Sequence, residues 1–82
     1  GFVVTCERDL ETRVRLVLSG LRQREETCVR LMAHCEAEAA ELADDAVLDH
    51  GALSARIAIA RALQTELRCA IADVCAALGE EP

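Results

Sequence analysis

The sequence predicts an all-α protein: an antiparallel helical hairpin with an additional N-terminal helix, completed as a three-helix bundle or as an oligomeric helical bundle. Three observations carry this. The chain is 52% hydrophobic, yet Phe2 is its one aromatic residue; the apolar alphabet of Ala, Leu, Val and Ile suits closely packed helices. Turn residues are scarce, with four Gly and a single Pro, Pro82, at the very end, fewer than a strand-rich domain requires. Apolar residues recur at alternating steps of four and three along most of the chain. Its 82 residues make one domain, 1–82. A domain this small often draws stability from disulfides, a metal or a partner chain.

The elements follow in order. Thr5 is placed to cap a first helix, about 5–19, with Glu7 and Asp9 in the first turn, where the helix dipole favours negative charge. The apolar GFVV segment ahead of it suits a hydrophobic staple or insertion into a partner. Leu10, Val14, Val17 and Leu21 form the apolar row. The row resumes at Cys28, Met32, Cys35, Ala39, Leu42 and Ala46, but passes through Arg24 and Glu25 between. This reads as a phase slip, with Gly20 the natural break. A second helix then covers about 21–49. The segment LDHGALS, Leu48 to Ser54, is the expected turn, with Gly51 left-handed at a helix C-terminus. The last helix, about 53–79, takes Ser54 as N-cap and Gly79 as terminator. Its row is Leu53, Ile57, Ala60, Gln64, Leu67, Ile71, Val74 and Leu78. A second row, Leu63, Ala70 and Ala77, makes the stripe wider than a two-stranded coiled-coil seam.

A turn centred near Gly51 sets Glu41 opposite Arg61, Asp45 near Arg56 and Arg30 near Asp73. Without a break at Gly20 the first arm would run about 45 residues, roughly 67 Å. It would then overhang its partner and leave Val14, Val17, Leu18 and Leu21 for a second chain to cover.

The same register brings Cys28 level with Cys75, and Cys35 nearly level with Cys69. Two disulfides would staple the hairpin, a pattern that resembles the twin-cysteine coiled-coil-helix family of the mitochondrial intermembrane space. Spacing departs from it: that family uses CX9C or CX3C, and this chain has CX6C and CX5C. Cys69 and Cys75 also point roughly 120° apart around their helix, which makes two bridges of ordinary span difficult. Cys6 would be left over. A zinc site needs four converging ligands, and His34 points about 100° away from Cys35. The remaining reading is that Cys28 and Cys35 are small buried hydrophobes.

Charge narrows the function. The net charge is −6 and all nine basic residues are Arg. That balance opposes binding to nucleic acid, which relies on neutralising phosphates. No apolar run approaches the roughly 20 residues of a transmembrane helix, so membrane insertion is not expected. No signal peptide is visible, and the expected compartment is the cytoplasm. Glu36, Glu38, Glu41, Asp44, Asp45 and Asp49 form a basic-free stretch, suited to a solvated face or to a basic partner. Asp44, Asp45 and Asp49 would crowd a helix C-terminus, where the dipole disfavours them. No nucleophile–base pair, phosphate loop, metal motif or cofactor motif stands out, so no catalytic, cofactor or metal residues are expected.

LETR at 10–13, LRQR at 21–24 and ARAL at 60–63, on a short helix followed by a hairpin, resemble the small needle co-chaperones of type III secretion systems. The five cysteines and the longer C-terminal arm depart from that family. The resemblance implies that Ile57, Leu67, Ile71 and Val74 meet a second chaperone. From the residues themselves, the expected function is non-enzymatic binding: an adaptor, co-chaperone or assembly subunit. The expected interface to a protein partner or a second copy is Val14, Leu18, Leu21, Ile57, Leu63, Gln64, Leu67, Ile71 and Val74. Gln64 either fixes register in the core row or sits at its edge in water. The alternative is a disulfide-stapled structural module of an oxidising compartment.

Overall fold

The computed structural model describes the backbone of residues 2–82 and the side chains from Arg8 onward. It is an all-α hairpin of two helices, α1 (Phe2–Glu41) and α2 (Val47–Leu78). A single continuous α1 stands where the sequence predicts a short helix, a break and a second helix. Thr5, expected as a cap, lies within α1. The GFVV and Cys6 side chains lie outside the described residues.

The apparent phase slip is a polar residue in an unbroken seam. The α1 positions turned toward α2 are Val14, Leu18, Leu21, Glu25, Cys28, Met32, Cys35 and Ala39, followed by Leu42 just past the helix end, all buried or half-buried. They keep the four-three alternation straight through Glu25. Leu18 rather than Val17 is in the seam: Leu18 is 4% exposed and Val17 58%. Gly20 breaks nothing, because a helix accepts one glycine for about 1 kcal/mol. The α2 row is as the periodicity predicts, with Leu53, Ala60 and Ile71 buried and Ile57, Gln64, Leu67, Val74 and Leu78 half-buried.

The turn comes earlier than LDHGALS, and it uses no glycine. Ala46 N–H donates to Ala43 O at 3.0 Å, closing a turn around Asp44 and Asp45. Val47 N–H then donates to Asp45 O at 2.9 Å across Ala46, whose φ of −78° and ψ of 61° are those of an inverse γ-turn. Asp is a favoured turn residue because its side chain competes for nearby backbone groups. No side chain caps the first turn of α2. Instead the His50 ring closes the turn, its Nε2–H donating to Ala43 O at 3.0 Å. Leu48 to Ser54, Gly51 included, is helix. Asp49 therefore lies in the first turn of α2, where the dipole favours it.

Gly79 ends α2 as the sequence predicts, with φ 72° and ψ 26°. Glu80 N–H donates to Cys75 O at 2.8 Å and Gly79 N–H to Ala76 O at 3.1 Å, the paired bonds of a Schellman motif.

The earlier turn resets the register. Glu25 meets Arg68, with Nε to Oε2 at 2.6 Å. Arg22 reaches the Cys75 sulfur at 3.8 Å, and Arg15 pairs with Glu80 at 2.5 Å. Each α1 residue thus faces α2 about two turns nearer its N-terminus than a Gly51 turn demands. The expected pairs Glu41–Arg61, Asp45–Arg56 and Arg30–Asp73 do not form; Arg30 pairs along its own helix with Glu26 at 3.6 Å. The shift also brings Val14, Leu18 and Leu21 under cover, although α1 still extends past the end of α2. α2 reaches back far enough to bury Leu18 against Ile71 and Cys75, with Leu21, Val74 and Leu78 packed around them.

The hairpin measures 68 × 17 × 15 Å between Cα extremes, with a radius of gyration of 18.6 Å. A globular chain of this length has a radius near 12 Å. Its accessible surface is 6249 Å², against about 4,800 Å² for a rounded monomer of the same mass.

Candidate interaction surface

Two helices can shield only the strip between them, so the hairpin has two long open sides. They differ in chemistry. One side carries the cross-helix polar contacts: Arg15–Glu80, Arg22 with Cys75, and Glu25–Arg68. There Arg22, Glu25, Arg68, Ile71, Ala72 and Pro82 line one groove. Arg15 also pairs with Glu11 at 2.9 Å. Its guanidinium pKa is pushed up from the ordinary value, first by the Glu11 hydrogen bond and then by Glu80.

The opposite side is apolar. Leu31, Leu63, Leu67, Ala70 and Cys28 line a groove there, with Arg24, Thr27 and Glu66 at its margins. Toward the open end the strip continues past Leu10, Val14, Ala77 and Leu78. Toward the turn it ends at Glu38, Glu41, Asp49 and Arg56 around Leu42 and Leu53. Heptad steps explain the strip. Leu10, Val17, Arg24, Leu31 and Glu38 lie seven apart beside the α1 seam, as do Arg56, Leu63, Ala70 and Ala77 beside the α2 seam. Leu10 is 63%, Leu31 46% and Leu63 50% exposed. Among the described residues, no ion pair crosses between the helices on this side.

Of the residues expected at an interface, Leu18 and Ile71 are buried within the hairpin, and Val14, Leu21, Ile57, Gln64, Leu67 and Val74 are half-buried in its seam. Leu63 alone stands in the open. The sequence reading recognised the second row on α2 but missed its counterpart on α1. The signal for it is the spacing in sevens of Leu10, Val17 and Leu31, which the sequence hides because Val17 and Leu18 are adjacent and equally apolar, and only burial separates them, at 58% and 4% exposed.

Cys28, Cys35, Cys69 and Cys75 are free thiols; Cys69 is exposed and the others are buried. Cys28 is not level with Cys75, which sits beside Leu18 and Arg22. The six-residue step from Arg22 to Cys28 is about 9 Å of helix rise, beyond the span of a disulfide. His34 pairs with Glu38 at 2.8 Å on the helix exterior. Among the described residues, no group of three or more His, Cys, Asp or Glu side chains is placed to hold a metal. Among them also, no helix is long and apolar enough to cross a membrane. Comparison of the chain with protein-family models, with curated proteins and with solved structures finds no match.

Proposed function

We propose that this chain is a non-enzymatic helical protein–protein interaction module, an adaptor, co-chaperone or assembly subunit, and that it binds through the apolar side of the hairpin. The sorting of the two sides is the observation that supports this. Cross-helix polar contacts occupy one side, while the other offers a largely apolar strip, with Arg24, Glu66 and Glu11 along it and further charges at the turn end. Isolated exposed apolar residues are ordinary; a contiguous strip marks a contact surface. The resemblance to needle co-chaperones points to the same class. Since Ile57, Leu67, Ile71 and Val74 are engaged in the hairpin seam, the α2 contact row in this reading is Leu63, Ala70 and Ala77. Free thiols suit a reducing, cytoplasmic setting. The net charge of −6 favours a protein partner over nucleic acid.

Light scattering over a concentration series, with and without reductant, tests this on the wild type and a Leu31→Asp/Leu63→Asp double variant. Both substituted positions are about half exposed, so the hairpin itself tolerates them. The expected result is a wild type heavier than a monomer at high concentration, indifferent to reductant, and a monomeric variant of equal helicity. A wild type that is monomeric throughout and binds no apolar dye on this side rejects the reading.

A further inference from the structure

We infer that the occupant of the apolar side is the same side of a second copy of this chain, docked with both turns at the same end and a two-fold axis running along the helices. This rests on the interaction-surface reading above and specifies its partner.

The elongated hairpin has surface to spare for such a contact. Over its whole length and both open sides the chain exposes about 1,400 Å² more than a rounded monomer of its mass, and a standard interface covers about 800 Å² on each partner. The pattern of the strip then selects the docking. Within one hairpin, Leu31 is level with Leu63, Arg24 with Ala70 and Glu38 with Arg56, each pair lining a common groove. A two-fold axis along the helices lays α1 of one copy over α2 of the other at unchanged height. Leu31 then meets Leu63 of the second copy. Arg24 passes over the small Ala70 of the second copy, with Glu66 one turn away. Glu38 meets Arg56 of the second copy, and symmetry repeats every pair.

The other two-fold docking, with the turns at opposite ends, lays α1 on α1. Centred to cover the whole strip, it stacks Arg24 on Arg24 at the axis, a like-charge contact inside an apolar surface. Slid to be centred on Leu31, it pairs Glu38 with Arg24, but it carries Val17 onto Asp45 of the turn and leaves Leu10 beyond the end. The same-end docking alone pairs the charges and covers the strip together.

Sedimentation equilibrium of Glu38→Arg and Arg56→Glu, each alone and mixed in equal amounts, tests the arrangement. Each variant alone puts like charges at both symmetric contacts, so its dimer dissociation constant rises about tenfold. The mixture restores both pairs between chains, and its dissociation constant returns to the wild-type range, an effect that shrinks in 1 M salt. Contacts within a chain are the same before and after mixing, so recovery reports only the contact between copies. A mixture no tighter than either variant overturns the arrangement. Recovery by Glu38→Arg mixed with Arg24→Glu instead overturns it in favour of turns at opposite ends. In both cases, a wild type that associates and loses association in Leu31→Asp/Leu63→Asp leaves the interaction-surface reading intact. A wild type monomeric at every concentration overturns the second copy as occupant. Dye binding lost in the double variant then keeps the reading, and absence of dye binding rejects that too.

Discussion

The two halves of the seam are built from different side chains. Toward the open ends, Leu18, Ile71 and Cys75 form a connected buried cluster with Leu21, Val74 and Leu78 packed on it. Around the cluster lie the pairs of Glu25 with Arg68 and Arg15 with Glu80. Toward the turn, the buried side chains are Cys28, Cys35, Ala60 and Leu53, three of the four small. Connectivity explains the difference. Near the turn, facing residues are close in sequence, and joining them costs little chain entropy. Leu18 and Cys75 must close about two thirds of the chain on itself, and the cost of closure grows, slowly, with loop length. The bulky packing sits where the chain itself helps least.

The largest effects are therefore expected at the open end. Ile71→Ala removes the branched side chain at the centre of the cluster and should cost about 3 kcal/mol. Cys35→Ala removes one sulfur from the turn half and should cost about 1 kcal/mol or less. Urea unfolding followed by far-UV circular dichroism compares them directly, as a shift of midpoint at constant slope. Equal costs would erase the contrast and mean that the seam is uniformly stable along its length.

The same contrast marks what the sequence made legible. Helicity, the hairpin and the whole α2 row followed from the four-three spacing, because apolar side chains at that spacing have one face to bury. Gly79 was legible because a glycine after the last apolar residue is the ordinary helix terminator. The position of the turn was not. Gly51 and His50 look like a helix end, but Asp44 and Asp45 make the turn, and two aspartates within an acidic stretch resemble a solvated face. That error carried into the register, and from the register into the cysteine pairings. The break expected at Gly20 came from reading Glu25 as a loss of phase. A carboxylate can hold a seam position when a cation opposite meets it, and Arg68 does so from a residue the local sequence does not show. The apolar side was half visible, since its α2 row was recognised before its α1 row.

Glycines at the two ends of α2 sharpen the comparison at a smaller scale. Gly79 holds a left-handed φ of 72°, which costs an L-residue roughly 1–2 kcal/mol. Gly79→Ala should lower stability by about 1 kcal/mol and loosen the Glu80 contact with Arg15. Gly51 lies inside the first turns of the helix, with nothing within 4 Å of where a Cβ would stand. Gly51→Ala should raise stability by about 0.5–1 kcal/mol, since alanine loses less backbone freedom in a helix. Opposite shifts in melting temperature are the expected result. A loss at Gly51 would mean that the segment forms a turn after all.

The smallest effect concerns Glu25 and Arg68, and it separates register from stability. The Arg68 side chain is 69% exposed and Glu25 24%, so solvent screens the pair despite its 2.6 Å contact. A double-mutant cycle with Glu25→Gln and Arg68→Ala should give a coupling of about 0.5 kcal/mol, in the range of exposed pairs. Glu25→Leu should then stabilise the hairpin, because the seam gains apolar contact and an exposed Arg68 keeps its water. What Leu removes is a charge that has its partner in one register only; with Gln64 then the one polar side chain among these seam positions, a slip of one heptad is easier to tolerate. Broadened amide resonances in Glu25→Leu, with a raised unfolding midpoint, would show the carboxylate serving register at the expense of stability. A variant both more stable and as well ordered as the wild type would assign register to the turn and to the bulky cluster at the open end.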